Sequence, residues 1–473
     1  MAGLPDVNIT ILDGGLGLLP PSLSGLHAKV GVSSAGNVGG IVSLSSPDQI
    51  TPAFGTGPLV DALADSFMTG AQLVYAVRAN GDIAGTVSAV TATKTGTGNM
   101  TAAGPPLDSY EVIVEILDAG TLNEATFRYS LDGGDTYSPK ITVPQTGSYV
   151  ITGTGLTLTF TADAVTPANS FKVGDKYTFT AKAPGASVTS VNAALDVLLA
   201  AALEYEFIHV VGNSDAAMWA ALSSKAATAE GNFRYIHIVA EARGPNAGET
   251  VDQWVTALET MSTSFASTRV SVVAGRPEIS DMLTGRSVDR NGAGVLLGRV
   301  SKIPEQRSAG RVMDGSLPGI IRLNPVGINE AQILRLDNAR YSTFRQYVGL
   351  NGFYITNARM MAEVISDFRY TETRRVMDKA CRLVRTAALR FAQAEATPEG
   401  LDALEAQLES PLNIMVADKQ ILQGRVVIPR DQDIISTPTL KAKVRIVPVP
   451  IMRWIEVEIG LENPLLSKGG EQQ

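Results

Sequence analysis

Cysteine and histidine are scarce in this chain. It has one cysteine, Cys381, and three histidines among 473 residues. A single thiol closes no internal disulfide, and so thin a set of soft ligands makes no zinc site. Charged residues are also few, at 18%, and the net charge of −8 lacks the basic excess that a general nucleic-acid binder uses to displace phosphate counterions. No apolar run is long enough to span a membrane. The longest, Ala193 to Ala202, is broken by Asp196. The opening residues, Met1 to Asp6, lack the basic start and apolar centre of a signal peptide. The expectation is a soluble protein kept in a reducing cytoplasm.

Catalytic signatures are missing as well. There is no Gly-x-Ser-x-Gly, no P-loop and no His-Glu-x-x-His. Gly15 and Gly17 begin like a dinucleotide loop, but Pro20 stands where a third glycine belongs. Gly292, Gly294 and Gly298 are an equally weak match. Asp132 and Asp135 flank two glycines and read as a hairpin turn better than as a calcium loop. His209 and His237 sit mid-strand among apolar residues and read as core histidines. No catalytic, cofactor-binding or metal-binding residue is singled out, no cofactor is implied, and the chain does not read as an enzyme.

What is present is an ordered, glycine-rich globular chain. Apolar residues make up 45%, with 45 glycines and 24 prolines, and the length predicts several domains. The fold class expected is α/β and multidomain. Residues 1–28 read as an N-terminal arm, in which Val7, Ile9 and Ile11 alternate as a short strand before Gly14, Gly15, Gly17, Pro20 and Pro21. That strand pairs either within its own domain or on a neighbouring subunit. Residues 29–85 and 186–345 alternate apolar strands with amphipathic helices, the pattern of a layered αβ core. Residues 86–185 are short alternating strands without an amphipathic helix and read as an inserted β-sandwich-like outer domain. Asn291 to Arg322 gives no clear pattern. Residues 346–473 form a last αβ unit, with a long helical stretch from Ala358 to Ala394 and a second helix lined by Leu401, Leu404 and Leu408.

The chain ends in two strand-like runs sorted by charge. Lys441, Lys443 and Arg445 alternate with apolar residues in the first. After Pro448 and Pro450, Glu456 and Glu458 alternate with Ile455, Val457 and Ile459. Opposite charges favour pairing the two runs as a ribbon, and a terminal strand can equally complete the open sheet edge of another copy. The predicted long helix carries six cations against two anions between Glu372 and Arg390. Arg374, Lys379, Arg382 and Arg385 are either a solvated face or a docking surface for an acidic partner.

The order of these segments resembles the contractile tail sheath proteins of myophages, tailocins and related injection machines. The likeness lies in Leu4 to Thr10, in the strand, helix and strand at Ala28–Gly36, Phe54–Leu63 and Gly70–Arg78, in Phe368–Lys379, and in the closing ribbon. The inserted unit, through Phe127–Gly134 and Phe171–Phe179, resembles small β-domains of phage structural proteins. The aromatic-proline and Pro-Pro-Ser-Gly segments usual mid-core are missing, which implies a divergent branch. The resemblance implies stacked hexameric rings around a tail tube, with the C-terminal domain innermost and Arg374, Lys379, Arg382 and Arg385 facing the tube. It implies terminal strands exchanged between subunits, through Val7, Ile9 and Ile11 at one end and Ile455, Val457 and Ile459 at the other. Partners implied are copies of itself, a tail tube protein, and baseplate and tail terminator proteins, with no direct nucleic-acid contact and no membrane insertion. The location implied is a virion tail or tailocin particle assembled in the host bacterial cytoplasm. Another tail component, such as a tube or baseplate subunit, is the alternative; a soluble αβ enzyme is the third.

Overall fold

The structure, a computed structural model, describes residues 25–461. The proposed N-arm strand of Val7, Ile9 and Ile11 lies outside the described residues.

The core is a six-stranded sheet of β1 (His27–Gly31), β2 (Ile41–Leu44), β3 (Val74–Arg78), β4 (Phe207–Ser214), β5 (His237–Ala242) and β6 (Val270–Val273). Their spatial order is β6-β5-β4-β1-β3-β2, parallel throughout except for β2. Every residue of β1, β5 and β6 is buried. Continuous apolar runs are expected of parallel strands covered on both faces. Side chains alternate between those faces. Ile208 and Ile238 meet Leu195 of α2 (Val188–Ala200), Trp219 of α3 (Ala216–Gly231) and Trp254 of α4 (Val251–Thr263). Phe207 and Val239 point the other way, toward Leu296 and Leu297 of α5 (Ala293–Lys302), which crosses α1 (Pro58–Thr69).

Polar caps set the helix starts. Ser187, Asp215 and Thr250 each accept a bond from an amide three residues on, satisfying donors that a helix leaves open. The glycines at 294 and 298 serve packing. A Cβ on Gly298 would lie 1.9 Å from Thr69 Oγ1 and 2.3 Å from the Ser66 carbonyl, so α1 and α5 cross at a distance only glycine allows. The stretch from 291 to 322, unreadable in the sequence, thus holds α5 and a strand at Ile320–Asn324.

Residues 86–182 form two antiparallel sheets, one of three strands and one of six. Met100, Val114, Phe127, Leu158, Phe160 and Tyr177 fill a core shared by both. The chain leaves and rejoins the αβ core side by side, where Ile83 and Gly185 pair backbone to backbone.

Beyond α6 (Glu330–Asn338) the expected helix from 358 to 394 is shorter, and α7 spans Thr371–Leu389. Residues 358–370 cannot join it because their backbone is used elsewhere. The Met361 amide donates to the Val270 carbonyl, Ser271 Oγ donates to the Arg359 carbonyl, and the Met360 amide donates to the Arg369 carbonyl. This segment therefore extends the edge of the core sheet. α8 (Pro398–Ala417) follows α7, and both cover a two-stranded antiparallel sheet of β7 (Ile421–Val427) and β8 (Lys443–Pro448).

Candidate inter-subunit surface

Each outer edge of the β7–β8 pair is open among the described residues. The register runs from Ile421 opposite Pro448 to Val427 opposite Lys443. Lys441, Lys443 and Arg445 stand in solvent, while Leu440 and Ile446 pack toward Leu408, Leu412 and Val426. The expected ribbon does not form: β8 pairs with β7, and the acidic run of Glu456 and Glu458 pairs with nothing described. Pro448 and Pro450 supply no amide donors at the turn that a ribbon would need. From Pro450 the chain runs on without regular structure.

That free run is markedly apolar. Trp454 is 79% exposed, Ile455 75%, Val457 71% and Ile459 91%. Covering one large side chain of this kind is worth about 1.5–3 kcal/mol. This stretch alternates as a β-strand does, and among the described residues it is unpaired and the β7–β8 sheet has open edges.

The run departs from a fixed point. Arg453 is mostly buried between two exposed neighbours, Met452 and Trp454. Its guanidinium lies 3.4 Å from the centre of the Tyr370 ring, donates to Asn357 Oδ1 at 2.6 Å and bonds Glu372. Glu372 is 4% exposed, and burial pushes its carboxyl up while Arg453 pulls it back. Sequence reasoning missed this anchor. The signal available was a lone arginine in a run, as far as Leu461, whose other charges, Glu456 and Glu458, are acidic.

The four cations of α7 turn inward. Arg374 is buried, donates to Asp378 and lies over Phe368. Lys379 Nζ donates to Glu305 at 2.8 Å. Arg382 donates to the Tyr235 carbonyl at 3.0 Å, and Arg385 lies 4.0 Å over the ring of Phe233. A freely solvated face does not fit that geometry, since each of the four finds a partner within the chain. Lys379, Arg382 and Arg385 fasten α7 to the αβ core. The reason is the partner set opposite: Glu305, the Tyr235 carbonyl and the Phe233 ring lie along the face that α7 covers. Asp378 itself sits between Arg374 and Arg269.

Next to them is a fully buried pair. Arg375 Nε donates to Glu206 Oε1 at 2.7 Å, and Glu206 Oε2 also accepts from the Gly25 amide at 2.8 Å. Burial opposes the charge on Glu206, but Arg375 and the Gly25 amide outweigh it and bring its pKa down to about 2.

His209 and His237 lie on adjacent strands yet do not meet. Lys29 Nζ donates to His209 Nδ1 at 2.9 Å, which leaves Nε2–H to donate to Glu241 Oε1 at 2.9 Å. Among the described residues both nitrogens of His237 lack a hydrogen-bond partner, so of the two it is His209 that is a satisfied core histidine. Burial holds His209 well below its ordinary range. Where strand order reverses between β1 and β4, the crevice that binds ligands in many open sheets holds a cavity of about 560 Å³. Arg290 stands in it against Asp61 at 2.9 Å, Asp281 at 3.4 Å and Asp65 at 3.6 Å. Among the described residues, no group of three or more His, Cys, Asp or Glu is arranged to hold a metal ion.

This fold, an αβ core with an inserted β unit and a compact C-terminal αβ unit, has counterparts among solved structures. It is shared with the sheath of the extracellular contractile injection system PVC in its contracted state, with a TM-score of 0.56, 11% identity and 98% of each chain covered. It is shared too with a chain of the contracted anti-feeding prophage baseplate, with a TM-score of 0.55, 14% identity, and 98% of this chain and 100% of that one covered. By sequence the chain belongs to the DUF2586 family: residues 4–359 match its N-terminal domain and residues 367–466 its C-terminal domain. A candidate tail sheath protein of Haemophilus phage HP1 is 30% identical over 150 residues, a match covering 30% of this chain and 37% of that protein.

Proposed function

We propose that the chain is the structural subunit of a contractile tail sheath, polymerising as stacked hexameric rings around a tail tube and contracting to drive the tube through a target envelope. One observation carries the reading: an exposed apolar run, Trp454 to Leu461, leaves a fixed anchor beside a sheet with open edges. In this reading Ile455, Val457 and Ile459 pair on a neighbour's β7–β8 sheet, and Val7, Ile9 and Ile11 do the same from the other end. Backbone ladders between copies stay paired while the Gly- and Pro-rich joints bend, so subunits can rotate without separating. Contraction is then a passage from a metastable lattice to a better-packed one.

The domain assignment follows the same reading. Residues 29–85 with 186–345 are the core, 86–185 an outer decoration, 346–473 the inner domain, and 1–28 the N-arm. The partners are further copies, the tail tube, and the baseplate and terminator proteins that bound the stack. Assembly takes place in the host cytoplasm, and the finished subunit resides in a virion tail or tailocin-like particle. Negative-stain imaging of the purified full chain tests this: wide hollow tubes support the sheath, whereas narrow tubes or monodisperse particles contradict it.

A further inference from the structure

The bases of both terminal arms are held by one turn of one helix. Glu372 and Arg375 lie three residues apart on α7, and side chains at that spacing share a face. Glu372 binds Arg453, the last fixed residue before the exposed C-terminal run. Arg375 binds Glu206, whose second oxygen accepts from the amide of Gly25. Gly25 lies near the end of residues 1–28, the stretch read as the N-arm, two residues before β1 starts at His27. The two halves of the network sense each other: Arg375 favours the charged form of Glu372, and Glu372 that of Arg375.

The geometry allows little slack. Gly25 has φ of +80°, and a Cβ there would lie 2.4 Å from the Ser301 carbonyl oxygen. The Leu26 carbonyl accepts from the Glu206 amide at 2.8 Å, so the base of the N-arm is tied to Glu206 by two backbone groups. Arg375 and Glu206 are each 1% exposed in their side chains, and Glu372 5%. Water does not screen these charges as it screens surface pairs.

We propose that Glu206, Arg375, Glu372 and Arg453 are positioning residues forming one coupling network, through which the holding of the C-arm base fixes the N-arm base. The proposal rests on the arm-exchange reading of the function. In a lattice joined by both arms, load on one arm then reaches the other through α7 inside each subunit and does not dissipate in a loose joint.

Hydrogen–deuterium exchange on the full chain, kept monomeric by dilution, tests the coupling without depending on filaments. In Arg453→Met, the peptide containing Gly25 and Leu26 is expected to exchange about fivefold faster than in the unaltered chain. Peptides from β5, equally deep in the core, should keep their rate. Glu372→Gln, which keeps shape and removes charge, should act the same way with a smaller effect. Unchanged exchange at Gly25 and Leu26 in both variants overturns the proposal. Faster exchange in β5 as well overturns it too, because the effect would then be global loss of stability. A monomer that shows the coupling but never polymerises would contradict the sheath reading and leave the network standing.

Discussion

Arg375 and Glu206 face each other across the seam between α7 and the αβ core, 2.7 Å apart and both sealed from solvent. They are 169 residues apart in the chain. Their charges define how the C-terminal unit sits on the sheet, since neither finds a comparable partner if α7 moves away.

The first prediction concerns this pair. Glu206→Gln leaves Arg375 buried with its charge uncompensated, which costs about 3–5 kcal/mol at neutral pH. The pH dependence has a definite sign. Glu206 titrates near 2 in the folded protein, below its ordinary 4.5, so its contribution is fully present above about 4.5 and is lost as pH falls toward 2. Denaturant unfolding should show the gap between variant and parent closing over that range. A gap constant down to pH 2 would disprove the assignment.

A second prediction addresses α7. Reversing Arg382 and Arg385 to glutamate removes the bond to the Tyr235 carbonyl and the stacking on Phe233. Thermal unfolding of the isolated chain should show a loss of about 1–3 kcal/mol with no partner present. Unaltered stability would return these cations to the role of a free docking face.

A third prediction tests the helix crossing of α1 and α5. Gly298→Ala drives a methyl group into Thr69 and the Ser66 carbonyl, and overpacking of this kind costs about 1–3 kcal/mol. Gly153→Ala, where no atom lies within 4 Å, is the control and tests only the effect of its positive φ. Melting temperatures compare the two, and a smaller loss at Gly298 would contradict the close crossing.

A fourth prediction concerns the inserted unit. Its core is its own, and its two junctions lie side by side at Ile83 and Gly185. Deleting residues 90–182 with a short glycine bridge should leave polymerisation intact by electron microscopy. A soluble monomer would show that this unit contributes to the lattice.

Much of the architecture was legible because periodicity reports burial. The apolar runs at 205–211, 233–239 and 269–274 read as strands between helices, the middle one set four residues before the observed β5, and the alternation at 110–116 and 176–180 marked the β unit. What escaped was long-range. The inward face of α7 read as a generic basic helix because the partners that engage it, Glu305 and the Tyr235 carbonyl, lie far away in sequence. Residues 358–370 looked helical in pattern, yet the Met361 amide bonds Val270 on β6 and the Met360 amide bonds Arg369. The two charged terminal runs matched each other by sign, but β7 is the nearer partner and two prolines stand between the runs. Arg453 was overlooked since its partners, Asn357, Tyr370 and Glu372, carry no local motif.

The most direct measurement is a cryo-electron microscopy map of filaments grown from the full chain, compared with a chain lacking residues 455–473. We expect density for Ile455, Val457 and Ile459 laid along β7 or β8 of an adjoining copy, and no filaments from the shortened chain, which remains folded. Density showing those residues folded against their own subunit, or filaments from the shortened chain, would contradict the account.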